Sequence, residues 1–340
     1  MNYGKAIYTL AKGNTLASSK YASVSPEEQF GMIRKEIFEA LGIDENCGKK
    51  EFRKAVRKNK VLVYEIVEEI VDNILENGDY QKDAFFNQFV ELRTRARDED
   101  NKFYVEGDRE LTVVEYSGSH FDLNRKRYDI GTSFGVEVKT FGIKVYEYFE
   151  RIMVNQDFFS DLVADVAKAV NKKLTELAQD TFTTAIANLP ATFKPLAGTL
   201  DTESAIELVQ KVEGVNNATP VILGTKLALE KFQAKVLQTS EKSKDAINEV
   251  GFVREWQGTQ CIELKQGIKN GTYEFTMDNN KIYVMASNTK LVKMYIEGDT
   301  EMKEIQDGVT NADRSVEYTI DFRAGACVAY SGMIGVIDLA

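Results

Sequence analysis

Three features of the sequence predict an α+β fold with unusually extended elements. Helical spacing dominates up to about residue 97 and returns as one long run over 157–189. SFGVEVKTFGIKVYEYF (133–149) alternates apolar and other residues without a break in composition. Two further alternating runs, LVKMYIEGDTEMKEI (291–305) and SVEYTIDFRAGACVAY (315–330), close the chain. At about 3.3 Å per residue the 133–149 run spans roughly 55 Å, against a usual strand of about 5–6 residues. A compact chain of this length has a radius of gyration near ~20 Å. The apolar set shifts by one place at Thr140, which predicts a bend or bulge there.

Residues 26–97 read mostly as helices. Ser25-Pro26-Glu27-Glu28 supplies a capping serine, a proline at the first helical position and early acids, and Gly42 ends that helix. A second helix is expected over 49–58. A third covers VLVYEIVEEIVDNILENG (61–78), with Leu62, Ile66, Ile70 and Ile74 at four-residue spacing, and a fourth runs from Asp83 to Arg97. From 102 to 150 the period is two: LTVVEY leads out, SGSHFDLNRKRYDIG is turn-rich, and the long run leads back. DFFSDLVADVAKAVNKKLTELAQDTFTTAIANL (157–189) then forms one helix bounded by Pro190. In the α/β region that follows, PVIL (220–223) is a buried strand, and Gly224-Thr225 turns the chain and caps the helix KLALEKFQAKV. CIEL (261–264), TYEFTM (272–277) and KIYVMA (281–286) are expected strands.

Composition bounds function. The chain has 340 residues, is 43% hydrophobic and 28% charged, and carries only four prolines, so a real core forms and no Pro-rich linker divides it. The net charge of −10 argues against general wrapping of nucleic acid. The first residues lack the apolar core of a secretory signal, and no stretch approaches the ~20 apolar residues of a membrane span. Cys47, Cys261 and Cys327 are scattered with no CxxC spacing, as in a protein made in a reducing cytoplasm.

A search for catalytic or cofactor chemistry returns little. His120 is the only histidine and sits in a polar turn, which suits a solvated loop better than a general base. One histidine and three distant cysteines give no zinc spacing. Gly224-Thr225-Lys226 lacks the frame of a phosphate loop, and Asp98-Glu99-Asp100 lacks the glycine and spaced ligands of a calcium loop. No catalytic residue, cofactor or metal is expected. Two basic clusters carry more interest: Arg53, Arg57 and Lys60 on one side of a helix, and Arg125, Lys126 and Arg127 at the far end of the hairpin excursion. Each suits an acidic patch on a neighbour, or nucleic acid.

Extended elements laid side by side make a thin subunit, which buries less surface per residue than a globular one. The missing burial is supplied most readily between subunits, at interfaces of some 2,000–5,000 Å². On this reading the long strand reaches over a neighbour, with Phe134, Phe141 and Tyr146 along its shaft as contacts.

In the order of its elements over about 98–340, the chain resembles tailed-bacteriophage major capsid proteins of the Hong Kong 97 fold. The hairpin excursion resembles the extended loop, 157–189 the spine helix, TPVILGTKLALEKFQA and GFVREWQGTQCIELKQG the axial domain, and the two closing runs the peripheral strands. The resemblance implies a helical N-terminal arm or subdomain (1–97) and an extended loop (98–150). It also implies a peripheral domain (151–194 and 291–331) and an axial domain (195–290 and 332–340). It further implies a non-enzymatic subunit of the virion, assembled in the bacterial cytoplasm. Copies would form hexamers and pentamers of an icosahedral shell, partnered by portal and scaffold proteins. Contact with the packaged double-stranded DNA would be weak, and no membrane is involved. About 95 residues of charged helix before the loop exceed a simple arm, and a retained arm or subdomain is expected. The alternatives are an encapsulin-type nanocompartment shell and, in a different class, a soluble α/β enzyme that uses carboxylates.

Overall fold

The computed structural model describes residues 38–39, 41–44, 47–59, 61–62, 64–65, 68, 71–72, 75, 83–95, 102–105, 113, 127, 130–148, 158–189, 201–236, 247, 249–269, 271–287, 289–305, 315–330 and 332–339. Its first described residues, Phe38 and Glu39, are helical and stop at Gly42. Gly42 adopts φ +68. Its N–H bonds the Glu39 carbonyl and the Ile43 N–H bonds the Phe38 carbonyl, each at 3.0 Å. This paired pattern satisfies carbonyls that the helix end would orphan, and the positive φ favours glycine. Helix α1 (Lys49–Lys58) has the expected extent and buries Phe52, whose ring stacks on Phe38 at 5.4 Å. Described residues between 61 and 75 are helical, and of these Val71 and Leu75 are buried in the main core.

The helix expected over 83–97 ends early. Helix α2 spans Ala84–Phe89 only, burying Phe85, Phe86 and Phe89, and the chain then enters strand β1 (Val90–Arg95). The apolar spacing fits either element. The backbone of a distant strand decides it, because β1 pairs in parallel with Val292–Glu297.

The long alternating run is two strands. Strand β2 (Lys102–Val105) pairs antiparallel with β3 (Thr132–Gly135), and β4 (Lys139–Tyr148) joins a different sheet. The outgoing arm of the hairpin is therefore KFYV, upstream of the expected LTVVEY, of which only Val113 is described. The break falls at 136–138, where Val136 drops into a small core with Phe103 and Tyr295. That pull, before the pattern shift at Thr140, ends the first strand.

Helix α3 (Phe158–Asn188) buries Leu162, Val166, Val170, Leu174, Ala178, Phe182 and Ile186. It is about 46 Å long at 1.5 Å per residue. Successive burial at i+4 drifts about 40° per step, so the apolar stripe winds around the helix and faces different partners along its length. It packs on the sheet β1-β9-β10-β4, which contains β9 (Val292–Ile305) and β10 (Ser315–Val328). Farther along, Gln179 donates to the Lys265 carbonyl at 2.7 Å and Phe182 meets Tyr283 edge-on at 5.1 Å, both in the second layer.

That layer is the sheet β11-β8-β5-β7-β6, flanked by α4 (Thr202–Asn216) and α5 (Lys226–Val236). Its strands are β5 (Pro220–Gly224), β6 (Glu255–Trp256), β7 (Thr259–Glu263), β8 (Lys281–Ala286) and β11 (Gly335–Asp338). Asp201 caps α4 through the Ser204 N–H at 2.8 Å, and Thr225 caps α5 through the Ala228 N–H at 3.3 Å. The chain end is tied back by Asn216, which exchanges two 2.9 Å hydrogen bonds with the Met333 backbone. TYEFTM, expected as a strand, forms none: Phe275 makes a single bridge to Ile268.

Between β9 and β10 the register slips at a bulge. Asp321 faces Glu301 while Arg323 faces Glu297, so residues 298–300 stand opposite Phe322, and Gly298 takes φ +75.

Candidate assembly surfaces

The β2–β3 hairpin is anchored at its base by residues from three strands. Phe103 stacks on Phe134 with centroids 6.3 Å apart, and the Arg93 guanidinium lies 4.5 Å over the Phe103 ring. Arg93 also donates to the Lys102 carbonyl at 3.0 Å and to Glu91 at 2.7 Å. Glu91 accepts in turn from Lys293, whose side chain is nearly buried. Burial opposes ionisation of Glu91, but hydrogen bonds from Lys293 and Arg93 outweigh it and hold the carboxyl below its ordinary range. Gly325 of β10 completes the joint, since a Cβ there would overlap the Glu137 carbonyl. The hairpin thus leaves a rigid base. Beyond it Tyr104, Val113, Arg127 and Ile130 are exposed, Val113 at 94%.

The expected contact residues divide. Arg127 is exposed, while Arg125 and Lys126 lie outside the described residues. Tyr146, 66% exposed, faces outward from β4, one of the two edge strands of its sheet. Phe134 and Phe141 are half-buried against their own chain: Phe134 on Phe103, Phe141 on Phe322 at 5.6 Å with the Lys173 ammonium 5.4 Å from its ring. Arg53 and Arg57 lie four residues apart in α1, and Lys60 falls outside the described residues.

One surface was not anticipated. Between β7 and β8 a short turn projects Tyr273 (98% exposed), Phe275 and Ile268. Gln266 clamps its base through two 2.9 Å hydrogen bonds with the Met277 backbone, and Gly271 turns its tip at φ +74. Thr272 to Phe275 are all exposed, so alternation in TYEFTM does not mark this surface; a single bridge stands where a strand is expected.

The geometry offers little for catalysis. Among the described residues no three His, Cys, Asp or Glu side chains are grouped to hold a metal. His120 and 98–100 lie outside the described residues. Thr225 is engaged by Asn279 at 2.8 Å as well as by its helix, which makes Gly224-Thr225 a capped turn. Burial pushes the Cys261 thiol up to about 11, so it stays a neutral apolar group rather than a nucleophile. None of the three cysteines is in a disulfide. No helix among the described residues is long and apolar enough to cross a membrane.

A family model described as "SPbeta prophage-derived putative capsid protein YonB" matches residues 32–338. Among solved structures, the acid-stable capsid of Helicobacter pylori bacteriophage KHP30 matches with TM-score 0.50 at 12% identity, covering 76% of this chain and 92% of that one. The mature capsid of bacteriophage PhiM1 matches at TM-score 0.49 and 10% identity, over 75% and 87% of the two chains. The virus-like particle from Pyrococcus furiosus follows at 0.43 and 13%, over 78% and 96%. A comparison with curated proteins finds no match.

Proposed function

Because the chain belongs to the YonB family of prophage-derived capsid proteins, we propose that its copies assemble as hexamers and pentamers into an icosahedral head shell around double-stranded phage DNA. The family and the fold make it a structural subunit of a phage capsid shell and not an enzyme. The observation that carries the finer reading is the hairpin base. A two-stranded ribbon is marginal alone in water, yet here it is fixed by Phe103, Val136 and Tyr295 and carries exposed side chains outward. Such a ribbon gains stability by lying on a neighbour.

In this reading the sheet containing β9 and β10 is the peripheral domain, α3 the spine, and the sheet around β5 the axial domain next to the capsomer axis. Arg125, Lys126 and Arg127 at the loop tip meet an acidic surface on an adjacent subunit, and Tyr146 packs along the same contact. Arg53, Arg57 and Lys60 serve contacts of the N-terminal region with a neighbour or a scaffold protein. Portal and scaffold proteins are the expected partners, assembly takes place in the host bacterial cytoplasm, and the acidic chain touches its DNA weakly. Residues before the loop are retained in the finished particle, because Phe38, Phe52, Val71 and Leu75 belong to the main core.

Particles purified from a lysogen and treated with nuclease test this reading. Protected double-stranded DNA inside shells with hexameric and pentameric capsomers is the expected result. Shells holding an enzyme cargo and no DNA would overturn it, and subunits whose intact mass begins past residue 75 would overturn the retained N-terminal region.

A further inference from the structure

Strand β9 outruns one of its partners. β1 pairs with it only over Val292–Glu297, whereas β9 continues to Ile305. Among the described residues no strand covers 298–305 on the side away from β10. An edge of this kind presents N–H and C=O groups to any extended chain.

Here helical residues of the N-terminal region meet that edge in register. The Thr300 N–H donates to the Asp72 carboxylate at 2.9 Å, and the Met302 N–H donates to the Glu68 carboxylate at 2.7 Å. One step on, the Tyr64 hydroxyl donates to Glu304. The helix steps back four residues each time the strand advances two. Four helical residues rise about 6.0 Å and two strand residues about 6.7 Å, so the periods match. The Tyr64 ring also meets Tyr318 of β10 edge-on at 6.1 Å, and Val71 and Leu75 of the same region are buried in the main core.

We propose that this helical segment is an intramolecular plug of the β9 edge, filling the place of a strand and denying residues 298–305 to a second copy of the chain. A carboxylate only accepts hydrogen bonds. It satisfies the strand N–H groups without offering the alternating donors through which a ladder would propagate. With the plug displaced, the complement of this edge is another extended backbone. The same β9 segment of a second copy supplies it, pairing antiparallel about a two-fold axis. The inference stands on the helix–strand register alone and does not depend on the shell reading.

Amide exchange followed by mass spectrometry over 298–305, with light scattering across concentration, tests it on the full chain. In the parent protein the Thr300 and Met302 amides are expected to be protected like those of Val292–Glu297. In Glu68→Ala/Asp72→Ala they exchange at least tenfold faster, and a concentration-dependent species appears in which protection returns. If that variant fails to fold, Glu68→Gln/Asp72→Asn keeps the side-chain shapes and gives the same changes to a smaller extent. Unprotected amides in the parent, parental protection in folded variants, or fast exchange with an unchanged oligomeric state would each overturn the proposal.

Discussion

Phe182 of α3 meets Tyr283 of β8 edge-on with ring centroids 5.1 Å apart, and also meets Phe85 of α2 edge-on at 5.2 Å. This side chain, fully buried, joins the long helix to the five-stranded sheet and to the segment leading into β1. Replacing it by alanine removes both ring pairs and leaves a cavity. Phe182→Ala is expected to destabilise the chain by about 3–5 kcal/mol. Denaturant unfolding measures this, and a cost below about 1 kcal/mol would show that the helix and the second sheet are not tightly coupled.

Gly325 lets the β3–β4 junction lie directly on β10. Gly325→Ala drives a methyl into the Glu137 carbonyl, whose backbone has little room to move because Val136 is locked beneath it. The expected cost is about 1–3 kcal/mol, with the disturbance confined to the hairpin base. Faster amide exchange at 102–105 and 132–135, and not in β8, is the accompanying signature.

Asp83 is buried at the start of α2, and its carboxylate oxygens have no hydrogen-bond partner among the described residues. Burial raises its pKa above the ordinary value of 3.8, with Lys265 partly offsetting the shift. The native state therefore holds this proton more tightly than the unfolded chain does. The ionised form costs stability in full above the folded pKa, and the cost fades as pH falls towards 3.8. Asp83→Asn is expected to be more stable than the parent at neutral pH by about 1 kcal/mol, with the gap closing on acidification. Thermal unfolding at several pH values checks it, and a gap independent of pH would contradict it.

Reversing three charges expected at the loop tip, with Arg125→Glu, Lys126→Glu and Arg127→Glu together, is expected to spare subunit folding, since Arg127, the one of the three that the structure describes, is exposed. The expected effect is a fall in particle yield of at least tenfold with unchanged circular dichroism of the free subunit. Tyr146→Ala, at an exposed edge-strand position, acts in the same direction more weakly. Normal yield from the triple variant would remove these three residues from assembly.

Local rules made much of the fold legible. The extent of α1, the Gly42 stop, the capped α5 and the reach of α3 each follow from spacing, caps and breakers within one segment. The errors lie where a distant partner decides. Val90–Arg95 becomes a strand because Val292–Glu297 offers a parallel edge, and the 133–149 run divides because Phe103 and Tyr295 capture Val136. For the contact surfaces, outward Tyr146 and half-buried Phe141 both follow from the alternation after Thr140, whereas nothing in the sequence marks Phe322 as the partner of Phe141. The turn that exposes Tyr273 reads as a strand until Gln266 is seen clamping Met277.

As a capsid shell subunit, this chain is expected to associate with its own copies. Electron microscopy of the purified chain, alone and with a scaffold protein, paired with light scattering on the same samples, reads this out. Closed polyhedral shells or capsomer rings, with masses that are multiples of 38.3 kDa, are the predicted result. A single 38.3 kDa species under every one of these conditions would contradict it.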